Sequence, residues 1–399
     1  MRFLFVNRFA DGDQVPTARM LQDVAHILAT RGNRVTILAS RADYAGVAAP
    51  DRMTAGSDVR RVWTPRPRVL AWLVFWLQAL LRAPLMHWDA CILMTDPPFM
   101  TPLARLARCF YGSRRRVFWW TMDLYPESLT AAGLMAASGI PCRFLSGLNR
   151  WGARGLSGVI CLGERQRERL QLCLKALPAL PVRCVPPWDD RPLPRIPPAE
   201  NAFLKELSRD KPRRIALYAG NLGRGHGYAD VLEAARILAD GDESWLFVFV
   251  CRGASRPLLE QAAAGLTNVR IMDYLPAERT SELLWSATVH LITMAEGWDG
   301  VVAPSKLYGA LKTNAPVLFI GPERSDTAME IRRYGRGMVL ANGCGGAPVL
   351  AALQTLAAAN STASLPLAGE GARAVADFVL GRGEEGQSGK RGRGSVRES

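Results

Sequence analysis

Residues 214–239 read RIALYAGNLGRGHGYADVLEAARILA. The stretch divides into three parts. Arg214 to Ala219 is an apolar run of strand length. Gly220 to Gly227 is glycine-rich, and Ala229 to Ala239 has the apolar spacing of a helix. Glycines in such a turn let the backbone pass close to a ligand, and the first amides of the helix point toward it, which makes an anion site. Arg224 adds a guanidinium fork that fits phosphate oxygens. The spacing is neither that of a Walker A loop nor of a dinucleotide fingerprint in its usual place. A tight turn with no ligand is the competing reading.

The same alternation runs outward in both directions. Upstream, Arg2 to Val6 reads as a strand. A helix face of Ala18, Leu21, Ala25 and Leu28 stops at Arg31-Gly32-Asn33, and Arg34 to Ala39 is the next strand. Further strands are expected at 90–94, 116–121, 158–162, 245–250, 269–272, 289–293 and 316–320, with helices between them. Residues 181–198 are proline-rich and read as a stiff, extended linker. The expectation is an α/β chain of two doubly wound, Rossmann-like domains facing a cleft. Their bounds are 1–185 and 206–365, joined by a linker at 186–205. A residual helix and a disordered basic tail fill 366–399. Ligands in such sheets sit at the carboxyl ends of the strands.

Composition narrows the function. The chain has 399 residues, 49% hydrophobic and 22% charged, which suits a folded protein of two to three domains and excludes extensive disorder. Its eight cysteines form no C-x-x-C pair and its four histidines no i,i+4 pair, so reduced thiols are expected and a zinc centre is not. The net charge of +14 suits phosphorylated substrates, anionic lipid or nucleic acid, or reflects coding bias alone. A nucleic-acid binder is disfavoured, because no helix-turn-helix or RNP-like motif and no basic stripe with interleaved aromatics occurs. The longest uncharged apolar run, Val69 to Leu81, has 13 residues and is too short to span a bilayer, which takes roughly 20. The four-residue apolar start is too short for a signal peptide, so a cytoplasmic location is expected. Arg60, Arg61, Arg66, Arg68 and Arg82 flank that run. It reads either as a core helix or as a helix lying in an anionic membrane interface, on the inner face of the cytoplasmic membrane.

A second motif is Gly300-Val-Val-Ala-Pro-Ser-Lys-Leu-Tyr-Gly309. Pro304, Ser305 and Lys306 fall where a helix over 304–312 should start, with proline in its first turn. Free amides, a hydroxyl and an ammonium there make a second anion site, and a plain helix cap with a surface lysine is the alternative. Two anion sites on one domain edge suit a diphosphate. Asp123 closes the strand at 116–121, where it faces the cleft, or else caps a helix before Pro126. Glu127 is a further candidate on that side. Gly12 and Asp13, in the loop after the first strand, are candidates there too, or a solvated turn.

Together these residues resemble a known family. Tyr-x-Gly-Asn-Leu-Gly-Arg at 218–224, Asp273-Tyr-Leu-Pro276, the 300–309 motif and the following Pro-Val-Leu are similar to the C-terminal domain of GT-B glycosyltransferases of family 4. The subgroup is the one that builds bacterial O-antigens, capsules and exopolysaccharides. Thr17 to Leu28, Arg31-Gly-Asn-Arg-Val-Thr and Thr121-Met-Asp-Leu-Tyr-Pro-Glu127 resemble its acceptor domain. The resemblance covers roughly residues 1 to 340. It implies retaining transfer from a nucleotide diphosphate sugar, UDP-linked rather than GDP-linked, to a lipid-linked saccharide, without metal or other cofactor. It places the diphosphate on Gly220, Asn221, Gly223, Arg224, Ser305 and Lys306, beside Pro304, and the base against Tyr274 and Leu275. Arg224 and Lys306 then stabilise the charge on the leaving diphosphate. In that reading Asp123 faces the acceptor hydroxyl or the reaction centre, and Gly12, Asp13 and Glu127 are acceptor-side. His226, beside the glycines, is read either as a donor contact or as a surface imidazole.

The sequence departs from the family in three places. The second of two family glutamates is replaced by Gly309, and Glu296 is a candidate for the first. Lys312-Thr-Asn-Ala315 lacks the usual glycine, so Asn314 is expected to take left-handed geometry at that turn. The helix that crosses back in such folds is expected to be short, near Ala372 to Leu380. The missing glutamate leaves a degenerate subunit, binding nucleotide without turnover, as the alternative function. The UDP-sugar 2-epimerases share the fold but should carry more acidic and histidine residues at the sugar pocket.

Overall fold

Apolar strands alternating with amphipathic helices build two parallel sheets. The computed structural model describes residues 1–10, 15–41, 56–174, 180–208, 213–239, 244–359 and 369–382. The loop holding Gly12 and Asp13 and most of the glycine- and charge-rich tail lie outside them.

The first half runs β1 (Arg2–Val6), α1 (Pro16–Thr30), β2 (Arg34–Ser40), β3 (Ser57–Val62), α2 (Arg68–Arg82), β4 (Ala90–Leu93) and α3 (Thr101–Tyr111). It continues with β5 (Arg116–Trp120), α4 (Glu127–Ala131), α5 (Ile140–Ala153), β6 (Gly158–Cys161), α6 (Glu164–Cys173) and β7 (Val182–Cys184). Next come α7 (Ala202–Leu207), β8 (Arg214–Ala219), α8 (Ala229–Ala239), β9 (Trp245–Val250), α9 (Arg256–Ala262) and β10 (Val269–Met272). The described residues end with α10 (Thr280–Trp285), β11 (Val289–Thr293), α11 (Lys306–Leu311), β12 (Val317–Ile320), α12 (Asp326–Tyr334), β13 (Gly337–Leu340), α13 (Gly346–Ala358) and α14 (Glu370–Leu380).

The first sheet has the order β3-β2-β1-β4-β5-β6-β7, the second β10-β9-β8-β11-β12-β13. Both are the doubly wound order, so each has a crevice where the order reverses: between β1 and β4, and between β8 and β11. The observed strands match the expected ones within a residue or two. The three that the sequence reading missed, β3, β7 and β13, are all sheet edges, buried on one side at most, with charged or half-exposed residues in place of an apolar run. The stretch read as an extended linker therefore begins as a strand, with Val182, Arg183 and Cys184 paired to Val159, Ile160 and Cys161.

Each face of the first sheet is covered. Phe75 and Ala79 of α2, Leu103, Ala104 and Ala107 of α3, and Ala153 of α5 pack under one face. α1 and α14 pack on the other, where Val24 and Leu28 meet Val375 and Val379. The expected return helix is thus present at the chain's far end. Phe378 lies edge-on to Phe118 at 5.7 Å, and Asp377 pairs with Arg31 at 2.5 Å. Trp188, just past β7, stacks on Trp120 and donates to Asp23 at 2.8 Å.

Asn314 does not take left-handed geometry, since Phe99 is the only described non-glycine residue with positive φ. The Thr313 hydroxyl makes that turn. It donates to the Ala310 carbonyl at 2.9 Å and accepts from Ala315 N at 3.3 Å and His290 Nε2 at 2.9 Å. A side-chain hydroxyl can close a turn in place of a glycine.

Candidate anion site at the second sheet's crevice

The glycine loop after β8 and the segment after β11 face each other where the second sheet reverses order. Gly220 leaves β8 at φ +136°, a conformation that side chains rarely adopt, and a Cβ there would press on Lys306 Cε at 3.3 Å. Lys306 begins α11 and reaches back across the crevice. Its Nζ donates to Tyr218 Oη at 2.5 Å and to the Asn221 carbonyl at 3.0 Å, and lies 3.5 Å from His226 Nε2. It also sits 4.1 Å from the centre of the Tyr218 ring. His226 Nδ1 donates to the Thr293 carbonyl at 2.6 Å, which leaves the lone pair on Nε2 toward the lysine.

All of these partners are neutral. Burial pulls Lys306 down to about 7, because nothing nearby replaces the ammonium's lost hydration. Burial, then the Lys306 charge, pushes His226 down to about 3, and burial holds the Tyr218 phenol well above its ordinary range. Among the described residues Lys306 pairs with no carboxylate. Arg224 is exposed and makes no ion pair or side-chain hydrogen bond among them. A crevice with an under-solvated ammonium and a nearby uncommitted guanidinium fits a multiply charged anion.

The other donor-side candidates fall around this point. Asn221 is exposed at the loop tip, and its carbonyl serves Lys306 while its side chain stays available. Gly223 accepts from His226 N at 3.1 Å and holds the loop closed. Pro304 is buried, and Ser305 takes the N-cap position of α11 without a side-chain capping bond. Lys306 is therefore neither a surface lysine nor part of an ordinary cap. Glu296 is exposed and accepts from Asn342 Nδ2 at 2.9 Å, so the loop after β13 joins this edge of the crevice. Tyr274 is exposed after β10 under the Arg252 guanidinium, 5.1 Å from its ring centre, and Leu275 packs into the core beneath.

Asp123 is half-buried past the end of β5, its amide donating to Thr95 Oγ1 at 3.3 Å. The next residue, Leu124, donates to the Val301 carbonyl of the other half at 3.0 Å, which puts Asp123 at the junction of the halves. It does not cap α4, whose N-cap is Pro126. Glu127 is turned away from the junction and accepts from Cys173 Sγ at 2.8 Å. Burial, then that carboxylate, pushes the Cys173 thiol up to about 12. Gly12 and Asp13 lie outside the described residues. No group of three or more His, Cys, Asp or Glu side chains able to hold a metal occurs among the described residues.

Sequence reasoning gave no role to Tyr218, Trp298 or Gly253. Trp298 is buried against Gly225, where a Cβ would meet its indole at 2.9 Å. Gly253 has φ +130°, and a Cβ there would lie 2.5 Å from the Leu222 carbonyl and 2.6 Å from Asn221 Oδ1. Gly253→Ala should therefore destabilise the fold by roughly 2–3 kcal/mol and disorder the glycine loop, as read by denaturant unfolding. Wild-type stability in that variant would show that the loop yields freely.

Two doubly wound parallel sheets with their crevices at the junction define the two-domain α/β GT-B fold. Residues 17–188 match the family described as a glycosyl transferase 4-like domain, which bears out the resemblance read from the sequence over that part of the chain. The chain is 25% identical over 261 residues to WbjE of Pseudomonas aeruginosa, named as a probable glycosyltransferase, covering 62% of this chain and 61% of that one. It is 32% identical over 113 residues to WcaI of Escherichia coli K12, named for colanic acid biosynthesis, covering 28% and 27%. This chain thus spans less than two thirds of either relative. In fold it is similar to Anabaena HepE in complex with UDP and glucose, with a TM-score of 0.61, 15% identity and 96% and 97% coverage. It is also similar to WaaG, a glycosyltransferase involved in lipopolysaccharide biosynthesis, with a TM-score of 0.60, 15% identity and 95% of each chain covered.

Proposed function

We propose that this chain is a glycosyltransferase of bacterial surface polysaccharide assembly, moving a sugar from a nucleotide diphosphate donor to a lipid-linked saccharide. The observation that carries the reading is the Lys306 ammonium, ringed by neutral acceptors at the second sheet's crevice, with exposed Arg224 on the facing loop. The name of WbjE supports the transferase, that of WcaI, for colanic acid biosynthesis, supports the process, and HepE's complex with UDP supports UDP over GDP as the carrier.

In this reading the bond from the sugar's anomeric carbon to the β-phosphate oxygen breaks, and the acceptor hydroxyl oxygen bonds that carbon on the same face, with retention. Negative charge grows on the departing diphosphate, and Lys306 and Arg224, fixed before the reaction, stabilise it. These cations fill the place a metal would otherwise take. The hydroxyl's proton leaves toward the diphosphate, with Asp123 orienting the acceptor at the junction.

The acceptor's lipid implies a bilayer surface. No helix among the described residues is long and apolar enough to cross a membrane. α2 buries Ala71, Phe75 and Ala79 yet exposes Leu70, Leu73, Leu77 and Leu81, so the stretch is a core helix on one side and a free apolar face on the other. α5, under the same side of the sheet, exposes Ile140, Phe144 and Trp151. α2, α3 and α5 contain no acidic residue, and Arg66, Arg82, Arg108, Arg143 and Arg150 are exposed on or beside them. This acid-free apolar face fits an anionic bilayer.

The site also has a pH signature. In the free chain Lys306 is half-protonated near pH 7, and a bound diphosphate favours the ammonium and raises its pKa. Binding therefore takes up a proton above pH 7. Affinity is full below that pH and falls as pH rises, by up to about tenfold per unit until the bound-state pKa is reached. His226 and Tyr218 face the ammonium and stay neutral through this range, and burial raises the nearby Cys251 thiol above its ordinary value. UDP titration between pH 7 and 9 in buffers of different ionisation enthalpy reads both effects. A flat profile without proton uptake would remove Lys306 from the site. Product formation from a UDP-sugar and a lipid-linked acceptor tests turnover, and UDP binding without it would favour the degenerate subunit.

A further inference from the structure

The segment from Met294 to Ser305, which backs the glycine loop, is gripped from the other half of the molecule by α6. Arg165 Nη2 bonds Asp299 Oδ2 at 2.8 Å, and Arg169 Nη2 bonds Asp299 Oδ1 at 3.0 Å, one guanidinium to each oxygen. Arg169 also donates to the Asp299 carbonyl at 2.5 Å and to the Gly297 carbonyl at 3.3 Å. The Asp299 side chain is only 15% exposed, so these pairs are shielded from water in a way that ordinary surface pairs are not.

A second hold lies beside the first. Asp326 at the start of α12 accepts from the amides of Arg165 at 3.0 Å and Gln166 at 3.2 Å, at the N-terminal end of α6. Glycine stands at both points of contact. A Cβ at Gly163 would fall 2.3 Å from Asp326 Cγ, and one at Gly300 would fall 2.6 Å from the Arg165 carbonyl.

The gripped segment reaches the anion site by three routes. Ala295 N donates to the Gly225 carbonyl at 2.9 Å, Trp298 packs on Gly225, and the segment ends at Lys306. We propose that Arg165 and Arg169 are positioning residues for that site: by holding Asp299 they set the segment, and through it the glycine loop and Lys306, in the arrangement that accepts the anion. They touch no ligand themselves. The proposal rests on the reading of the crevice as a nucleotide diphosphate site. By reciprocity, a bound diphosphate favours the clasped contact between the halves.

The test is a cycle of variants: Arg165→Ala/Arg169→Ala, Asp299→Ala and the triple variant. Each is titrated with UDP and with GDP and checked for folding by circular dichroism and melting. The Arg pair and Asp299→Ala should each weaken binding by roughly three- to thirtyfold. The triple variant should bind no more weakly than the Arg pair, because all three lose the same contact. Amide exchange over 294–305 should quicken in the absence of nucleotide. If the Arg pair does not fold, Asp299→Asn carries the comparison, since it removes the charge and keeps the shape. Folded variants that bind like wild type overturn the clasp alone. A wild-type chain that binds neither nucleotide removes the site and overturns both readings.

Discussion

Lys306→Ala should weaken UDP binding by about 1.5–3 kcal/mol, roughly ten- to a hundredfold, in calorimetric titration without added metal. The size follows from charge-assisted bonds to phosphate oxygens, each worth about 1.5–3 kcal/mol net. Arg224→Ala should lose affinity in the same range. The stability of the two variants should differ in an informative way. Lys306 is half-buried among Tyr218, Asn221 and His226 without a counter-ion, so the apo fold bears the cost of holding it there. Its removal should leave the melting temperature of the apo chain unchanged or higher, while Arg224, being exposed, should be neutral. A lysine with a purely structural role would do the reverse, keeping affinity and losing stability. Unchanged affinity in both variants would sink the site.

Leu73→Glu/Leu77→Glu should abolish binding to vesicles that contain anionic lipid. Leu73 and Leu77 are 61% and 54% exposed on the outer face of α2, away from buried Phe75 and Ala79. Burying a leucine side chain is worth about 1.5–3 kcal/mol, so losing two from an interface costs a hundredfold or more in partitioning, before the added charge repulsion is counted. The fold should tolerate both changes, since neither side chain is buried. Binding should also fall with salt, because the arginines around the face act through a screened field. Co-sedimentation with anionic and neutral vesicles reads these effects. Equal binding of variant and wild type, or equal binding to both vesicle types, would mean the face meets something else.

The candidate site was legible in part. Gly220 and Arg224 stood out because a glycine-rich turn between a strand and a helix can bring amides and a guanidinium to an anion, though a turn with no ligand has the same composition, and Lys306 because Pro-Ser-Lys marks a helix start. Asp123 stood out as an acidic residue at a strand end, and the junction with Val301 is where it falls. Glu127, four residues further on, had a different fate, since nothing in its neighbourhood along the chain announces Cys173, 46 residues away. Asn314 was expected to supply left-handed geometry, but the Thr313 hydroxyl closed the turn from one residue earlier.

What the sequence determined by itself was the two-sheet α/β architecture, because strand and helix periodicity are local properties and buried parallel strands must be apolar throughout. The three edge strands escaped because one side of an edge needs no apolar run. Tertiary structure alone decided the state of the lysine and the clasp. Lys306 is 88 residues from Tyr218 and 80 from His226, and Arg165 is 134 from Asp299. Charge, burial and hydrogen bonding between such residues depend on which strand ends the folded sheets bring together.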